Sequence, residues 1–555
     1  MSKEVAGSEV ELAVKDLCSA EVRASLSSRI ELCYQCLELV TETAMEWAGL
    51  ATEAKGLART SPLIAEDLLS GPAVVARQLQ LTIQTLRSID RSGTPTLPAN
   101  PVTLKNGQIS APVFPTVGLF DSLTFMGIRA SIRLQPEINE ANVHGQHASA
   151  ASRETLPELT AILGAGNVSS IPATDSLNRI MFEGSRVLLK LNPVNEYLLP
   201  VFERVFAPLI RAKLLRVLKG GADVGEAMIH HPAVDEVHIT GSAATHDAIV
   251  WGRDPAERSR RRQAGDPLLK KTVTSELGNV TPWIIVPGQY SVRQLDSQAR
   301  HIAASITNNA SFNCLATKMI ITWSRWPQRD EFLRLIQKHL SETPIRPAYY
   351  PGAVDRFQRF TGTRTSADDR GCLPWTLLTG QSAEERPELF QEESFVCVCG
   401  ETALAAETPK DFLQAATDFV NYRMAGTLCA SMTLPSDFRR RHQDAIERSL
   451  TRLRYGTVCV NQWSGIAYGL TSPPWGAYPG ASIQNVESGI GNVHNTYLLD
   501  GIEKTVLQGP LVNFPKPVWF STHRNAVEVA TRLIHLYHRS SMFSLPSLFA
   551  AAITG

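Results

Sequence analysis

From about Leu156 onward the chain alternates short apolar stretches with helical ones. Leu159-Thr160-Ala161-Ile162-Leu163, Val187-Leu188-Leu189-Lys190 and Val234 to Thr240 have the length and make-up of strands, and Pro200 to Leu218 reads as a crossover helix. Strands separated by such crossovers pair in parallel and need helices on their faces, so an α/β fold is expected. At 555 residues the chain exceeds what one hydrophobic core serves, and two or three domains are expected.

Upstream of this rhythm, residues 9 to 92 read as helices, with Val22, Leu26, Ile30, Cys33 and Leu37 recurring at three to four. The proline-rich stretch Gly93 to Pro115 reads as a connector without a long element. Ile128 to Leu134 alternates as a half-buried strand does, and the polar run Asn139 to Ala151 reads as a loop.

Composition enters mainly through what it excludes. Apolar content of 43% and charged content of 19% describe a folded chain rather than a disordered one. Lys plus Arg and Asp plus Glu both number 54, so no overall basic footprint marks a nucleic-acid binder and none is expected as a partner. The densest basic run, Arg258 to Arg262, reads as a solvated loop, with contact to phosphate or a membrane headgroup as its alternative. The cysteine count, nine, is odd and thinly spread, which implies no disulfide framework; with no signal peptide recognised, a reducing cytosol is expected. Neither Cys33/Cys36 nor Cys397/Cys399 has a second ligand cluster, and His230-His231 lacks a third ligand, so no metal is expected. No uninterrupted apolar stretch reaches the roughly 20 residues that span a bilayer.

Chemistry concentrates between Glu276 and Cys314. Cys314 closes the run Asn308-Asn309-Ala310-Ser311-Phe312-Asn313-Cys314, whose short polar residues suit a nucleophile held at a loop or strand end. A cysteine alone is more often a small buried hydrophobe. What distinguishes this one is Thr274-Ser275-Glu276-Leu277-Gly278-Asn279 upstream, a carboxylate followed by an apolar residue and a glycine. Further segments follow a consistent order: Gly164-Ala165-Gly166-Asn167 after a strand, Lys190 ending the next, Gly220-Gly221-Ala222-Asp223-Val224-Gly225, Gly241-Ser242 after a third strand, and Glu392-Glu393-Ser394-Phe395. Gly164-x-Gly166 lacks the third glycine and the acidic residue of the usual dinucleotide fingerprint.

Together these segments resemble the NAD(P)-dependent aldehyde dehydrogenase superfamily, across about residues 110 to 520, as a divergent member. Glu276 to Gly278 matches its E-L-G-G segment, Cys314 its nucleophile, Gly241-Ser242 its G-S dipeptide and Glu392 to Phe395 its E-E-x-F-G-P, here continued by Val396-Cys397. Pro474-Trp475-Gly476-Ala477 stands where P-F-G-G is usual, with Trp475 either walling an aldehyde tunnel or packed in the core. The resemblance implies Cys314 as nucleophile, Glu276 as the base that activates water and Asn167, with the Cys314 N–H, as oxyanion donor. It implies NAD or NADP as cofactor, bound by Lys190, Gly225, Gly241, Ser242, Gly278, Glu393 and Phe395. Pro193 stands where NAD-preferring relatives carry glutamate, and Glu196 lies three residues further on, so the choice between the two stays open.

The architecture implied is a Rossmann-like cofactor domain, an α/β catalytic domain and a bridging oligomerisation element. Residues 1 to 128 would form N-terminal helices and begin the cofactor domain, 129 to 151 the bridging strand and loop, and 152 to 275 the rest of the cofactor domain. Residues 276 to 495 would form the catalytic domain, and 496 to 555 a C-terminal bridging segment and tail. The expected activity is oxidation of an aldehyde to a carboxylic acid through a cysteine thiohemiacetal and thioester, in a cytoplasmic homodimer or homotetramer. Retention of Glu276 favours hydrolysis over acyl transfer to coenzyme A. An acyl-CoA or acyl-thioester reductase and a catalytically silent relative are the alternatives. The tail, amphipathic over Val527 to Tyr537 and apolar from Met542 to Ala550, would pack on a partner subunit or rest on a membrane surface.

Overall fold

The computed structural model describes residues 3–19, 24–116, 119–145, 158–364 and 367–555. The end of the expected bridging loop and the boundary near 151–152 lie outside the described residues.

The N-terminal part is helical because its apolar residues recur at helical spacing and its ends carry caps. Helix Leu26–Ala54 starts at Ser25, whose hydroxyl accepts from the Ser28 N–H at 3.2 Å. Helix Pro72–Ser92 begins with proline, which has no N–H to leave unsatisfied there, and ends at Gly93 in the left-handed region. The two helices pack on each other and on the shorter Ile64–Ser70.

The proline-rich stretch after them holds two short strands, β1 (Val102–Thr103) and β2 (Ile109–Phe114), followed by β3 (Arg129–Leu134). Next come β4 (Leu159–Leu163), β5 (Arg186–Lys190), β6 (Leu215–Leu218), β7 (Glu236–Thr240) and β8 (Thr272–Glu276). These five pair in parallel in the order β6-β5-β4-β7-β8. The order reverses at β4, which opens a crevice at the strand C-termini beside it, where ligands of open α/β sheets bind. The Arg258–Arg262 run lies on a helix, Pro255–Ala264, with no buried residue; Arg260 and Arg261 pair with Glu257, so its charge is solvated as expected while its backbone is not a loop.

The second half builds β9 (Pro282–Ile285), β10 (Met319–Trp323), β11 (Thr376–Leu378), β12 (Val398–Leu404), β13 (Cys429–Thr433) and β14 (Thr457–Val460). The short β15 (Trp475–Gly476), β16 (Gly489–Ile490) and β17 (Asn492–Val493) precede β18 (Ile502–Gln508). One ten-stranded sheet runs β1-β2-β3-β18-β14-β13-β9-β10-β12-β11, parallel from β18 to β11 and antiparallel from β18 to β1. The central strands are apolar on both faces, with Trp283, Ile284, Met319, Ile320 and Val458 all buried, as a sheet covered on both sides requires.

The two sheets are tied together at Glu276. β16, from the second half, pairs antiparallel with β8 of the first and sets Gly489 opposite Glu276. Gly489 sits at φ +128°, and a Cβ there would lie 2.0 Å from the Ser275 carbonyl oxygen, so only glycine closes this seam. The tail forms helices Ala526–His538 and Leu545–Ile553. Ala530, Leu533, Ile534 and Tyr537 of the first join the apolar core of the N-terminal helices, so this segment covers its own chain. No helix among the described residues is long and apolar enough to cross a membrane.

Candidate active site

Glu276 ends β8, and Cys314 follows a short helical turn, Asn308–Ser311, at the end of helix Val292–Thr307. Their side chains meet, with Cys314 Sγ 3.9 Å from Glu276 Oε1. The turn before Cys314 is held in an uncommon backbone state, since Asn309, Ala310 and Ser311 have φ of 52°, 53° and 69°. Non-glycine residues reach that region at a cost, so surrounding contacts must impose it. Asn309 Nδ2 donates to the carbonyls of Asn167 and Phe312 at 2.8 and 2.9 Å, and its backbone N–H donates to Glu66, which is also paired with Arg346. Lys318 Nζ donates to the Ser311 carbonyl and hydroxyl, both at 2.9 Å. The Cys314 carbonyl accepts from Thr281 at 2.7 Å, and Trp463 donates to the Leu315 carbonyl at 2.7 Å.

Burial biases both side chains toward their protonated forms. Burial pushes the Cys314 thiol well above its ordinary value, and the carboxyls of Glu276 and Glu393 push it further. Burial, reinforced by Asp175, raises Glu276 to about 8, while donation from Trp475 Nε1 at 2.9 Å pulls the other way. Trp475 is therefore packed in the interior as a partner of the carboxylate; it faces a separate cavity behind Glu276, lined also by Arg179, Glu183 and His238. Asn167 is buried at 9% exposure, and its Nδ2 donates one amide hydrogen to the Phe312 carbonyl at 3.2 Å, leaving the other to the cleft that it shares with Cys314.

Two openings converge on the pair. A large cleft of about 1540 Å³ runs along the C-terminal ends of the first sheet and is lined by Lys190, Gly225, Gly241, Ser242, Gly278, Glu393 and Phe395 as well as Asn167, Glu276 and Cys314. All ten residues singled out from sequence thus face one cleft. Ser242 caps helix Ala243–Val250, accepting from the Thr245 N–H at 3.1 Å. Lys190 Nζ donates to the Gly220 and Leu191 carbonyls at 2.8 and 3.1 Å, and burial lowers its pKa. Glu196 accepts from the Gly220 N–H at 2.8 Å, which fixes the loop beside the lysine. Phe395, at φ 43°, packs against Tyr350 and Phe312, linking its loop to the turn before Cys314.

The donor set suits a dinucleotide. Glu393 Oε1 is buried without a hydrogen-bond partner in the cleft, an acceptor able to take a sugar hydroxyl. A Cβ at Gly278 would fall 2.2 Å from Glu393 Oε2 and one at Gly225 3.3 Å from Lys190 Cε, so both glycines make room for the groups that would hold the ligand. Burial raises Glu393 to about 7 against the pull of Lys318 and Arg356.

The second opening is apolar and about 170 Å³, reaching Cys314 and Glu276 from the other side. Part of its wall is the tail, through Trp519, Phe520 and Tyr537. Sequence reasoning missed this wall, along with Asp175 and Lys318; the amphipathic period of Val527 to Tyr537 shows that a face is buried but not what it covers.

Residues 160–356 match the aldehyde dehydrogenase family model. Aldehyde dehydrogenase LUC3 of Fusarium sp is 27% identical over 162 residues, 28% of this chain and 31% of that protein. N-succinylglutamate 5-semialdehyde dehydrogenase of Novosphingobium aromaticivorans is 27% identical over 216 residues, 37% of this chain and 41% of that protein. The chain thus spans less than half the length of these curated relatives. Solved structures share the fold over far more of it. An NAD-dependent aldehyde dehydrogenase from Sinorhizobium meliloti has a TM-score of 0.60 at 16% identity, covering 93% of this chain and 89% of that one. An indole-3-acetaldehyde dehydrogenase complexed with NAD+ gives 0.58 at 18% identity, covering 91% and 89%. The chain thus carries a central segment that matches the aldehyde dehydrogenase family model, and it shares the fold of solved aldehyde dehydrogenases along nine-tenths of its length.

Proposed function

We propose that the protein oxidises an aldehyde to the carboxylic acid with NAD or NADP. The observation that carries this reading is the 3.9 Å approach of Cys314 Sγ to Glu276 Oε1 where an apolar pocket meets a dinucleotide-sized cleft. Both named relatives and both named structures are aldehyde dehydrogenases, and one of those structures holds NAD+.

In this mechanism Glu276 takes the thiol proton and Cys314 sulfur bonds to the aldehyde carbon. The resulting oxyanion is met by the free amide hydrogen of Asn167 and by the Cys314 N–H; each such donor contributes about 3 kcal/mol where the charge develops. A nicotinamide dinucleotide held in the cleft would supply the hydride acceptor that the cysteine thiohemiacetal needs to become a thioester. After releasing the thiol proton to solvent, Glu276 deprotonates a water that attacks the thioester, and Cys314 leaves as the thiolate as the acid is released. Lys190, Gly225, Gly241, Ser242 and Gly278 would position the cofactor's ribose and phosphates, and Glu393 and Phe395 its nicotinamide end.

The partition into cofactor segments (1–128, 152–275), bridging segment (129–151), catalytic segment (276–495) and tail (496–555) is part of this proposal. So is assembly as a homodimer or homotetramer, which multi-angle light scattering tests. Nine free cysteines suit a reducing, cytoplasmic setting. The exposed Met542 and Phe543 are the points through which the tail would touch a membrane surface or a partner. The activity itself is tested by following NAD and NADP reduction with an aldehyde panel, with and without coenzyme A. CoA-independent turnover that Cys314→Ala abolishes supports the reading, and turnover that requires CoA contradicts it.

A further inference from the structure

The apolar pocket has a definite size, sign and wall. Its volume, about 170 Å³, is only slightly larger than the roughly 150 Å³ apolar cavity that accepts benzene. Among the described residues no lysine or arginine lines it, and burial lowers the pKa of its one histidine, His523, toward the neutral form. Its two carboxyls are already engaged, Glu66 by Arg346 and the Asn309 N–H, and Glu276 by Trp475 and the nucleophile. The remaining surface is mostly hydrocarbon and aromatic, with Val74 and Ile171 on one side and Trp463 and Leu470 on another. The far side is supplied by the tail, through Phe520, Leu533 and Tyr537. Tyr537 is fixed in turn, because Arg77 lies 5.2 Å over its ring and is itself bonded to Asp121 at 2.6 Å.

We propose that the substrate is a compact, uncharged apolar aldehyde, carrying a single aromatic ring or about six carbons, and that the chain's own tail sets this limit. This inference rests on the dehydrogenase reading and deepens it. A carboxylate-bearing semialdehyde would place its charge in a pocket without a cation and beside Glu66, and a quaternary ammonium would find no unpaired carboxylate. A long-chain aldehyde would run into Phe520 and Tyr537. The helix Ser464–Leu470 offers a way to narrow the pocket without disturbing its frame: Gly469 lines it, and a Cβ there meets nothing within 4 Å.

The test compares kcat/KM for phenylacetaldehyde, hexanal, dodecanal, succinic semialdehyde and betaine aldehyde in the full-length protein and in two variants. The wild type is expected to favour phenylacetaldehyde and hexanal at least 100-fold over the two charged aldehydes and at least 10-fold over dodecanal. Gly469→Leu is expected to lower kcat/KM for phenylacetaldehyde at least tenfold more than it lowers that for acetaldehyde. Tyr537→Ala is expected to raise the dodecanal-to-hexanal ratio at least fivefold, with Tyr537→Phe as the variant that keeps the wall. A preference for a charged or long-chain aldehyde, or an unchanged selectivity in a folded Gly469→Leu protein, overturns the inference and leaves the dehydrogenase reading standing. Absence of turnover with every aldehyde overturns both.

Discussion

Glu276 is asked to serve as a base while buried at 6% exposure, and its raised pKa makes that role pH-dependent. The steady-state rate is expected to climb with pH and level off above about 8, as a pH profile of kcat will show. The Trp475 N–H stabilises the charged form, so Trp475→Phe is expected to move that rise to higher pH by about a unit. The same carboxyl affects stability with a definite sign. Its folded pKa, about 8, lies above the ordinary 4.5, so between those values the folded protein holds a proton that the unfolded chain releases. Folding stability from this group is complete below pH 4.5 and is lost as pH rises through 8. Glu276→Gln is therefore expected to melt at nearly the wild-type temperature at pH 4.5 and several degrees higher at pH 8.5. At this scale the residues that share the cleft were legible, because Cys314, Glu276, Asn167 and Glu393 each stand in a short segment with a characteristic order. Trp475 was read as a tunnel wall or a core residue; its bond to Glu276 depends on a fold that brings β15 to the end of β8, which no local pattern encodes.

The turn before Cys314 and the loop around Glu393 behave as one element. Lys318 donates to Ser311 on one side and reaches the Val396 carbonyl at 3.4 Å on the other, so the nucleophile's turn and the cofactor-side loop share a single buried ammonium. Asn309→Ala removes two side-chain donors and leaves alanine in the left-handed region. It is expected to cost about 2–3 kcal/mol of stability and to lower kcat at least tenfold, checked by denaturant unfolding and by steady-state kinetics. Glycine at 309 is expected to recover part of the stability but not the rate, since it relieves the backbone without restoring the amide. The strands and the helical N-terminus were readable from periodicity. The Gly93 to Pro115 stretch was not recognised as strand-bearing because its prolines point to a connector. There β2 is six residues long, and Pro112 sits next to the register shift in its pairing with β3, where a missing N–H is tolerated. The Arg258 to Arg262 helix was read as a loop for a similar reason, flanked as it is by Pro255 and by Gly265 with Pro267.

Across the whole molecule, the tail links the N-terminal helices to the substrate pocket. Arg77 and Asp121 are both buried and paired, and Arg77 also faces Tyr537, so Arg77→Ala strands a carboxylate under the tail helix. That substitution is expected to cost about 3–5 kcal/mol, measured by thermal and urea unfolding, and to loosen selectivity in whatever fraction stays folded. The α/β class and the order of site segments could be read from the chain because βαβ spacing is local. The tail's docking could not, because the face it covers is assembled from helices more than 400 residues earlier.

The central claim is that Cys314 carries the acyl group and Glu276 releases it to water. The most direct measurement is a single-turnover experiment on Glu276→Gln with phenylacetaldehyde and NAD or NADP, following reduced cofactor and the intact protein mass together. The account predicts a slowed burst of about one reduced cofactor per site, followed by a stalled steady state. It also predicts a mass increase of one acyl group that is absent from Cys314→Ala. Continuous turnover by Glu276→Gln, or a burst with no adduct on Cys314, would contradict it.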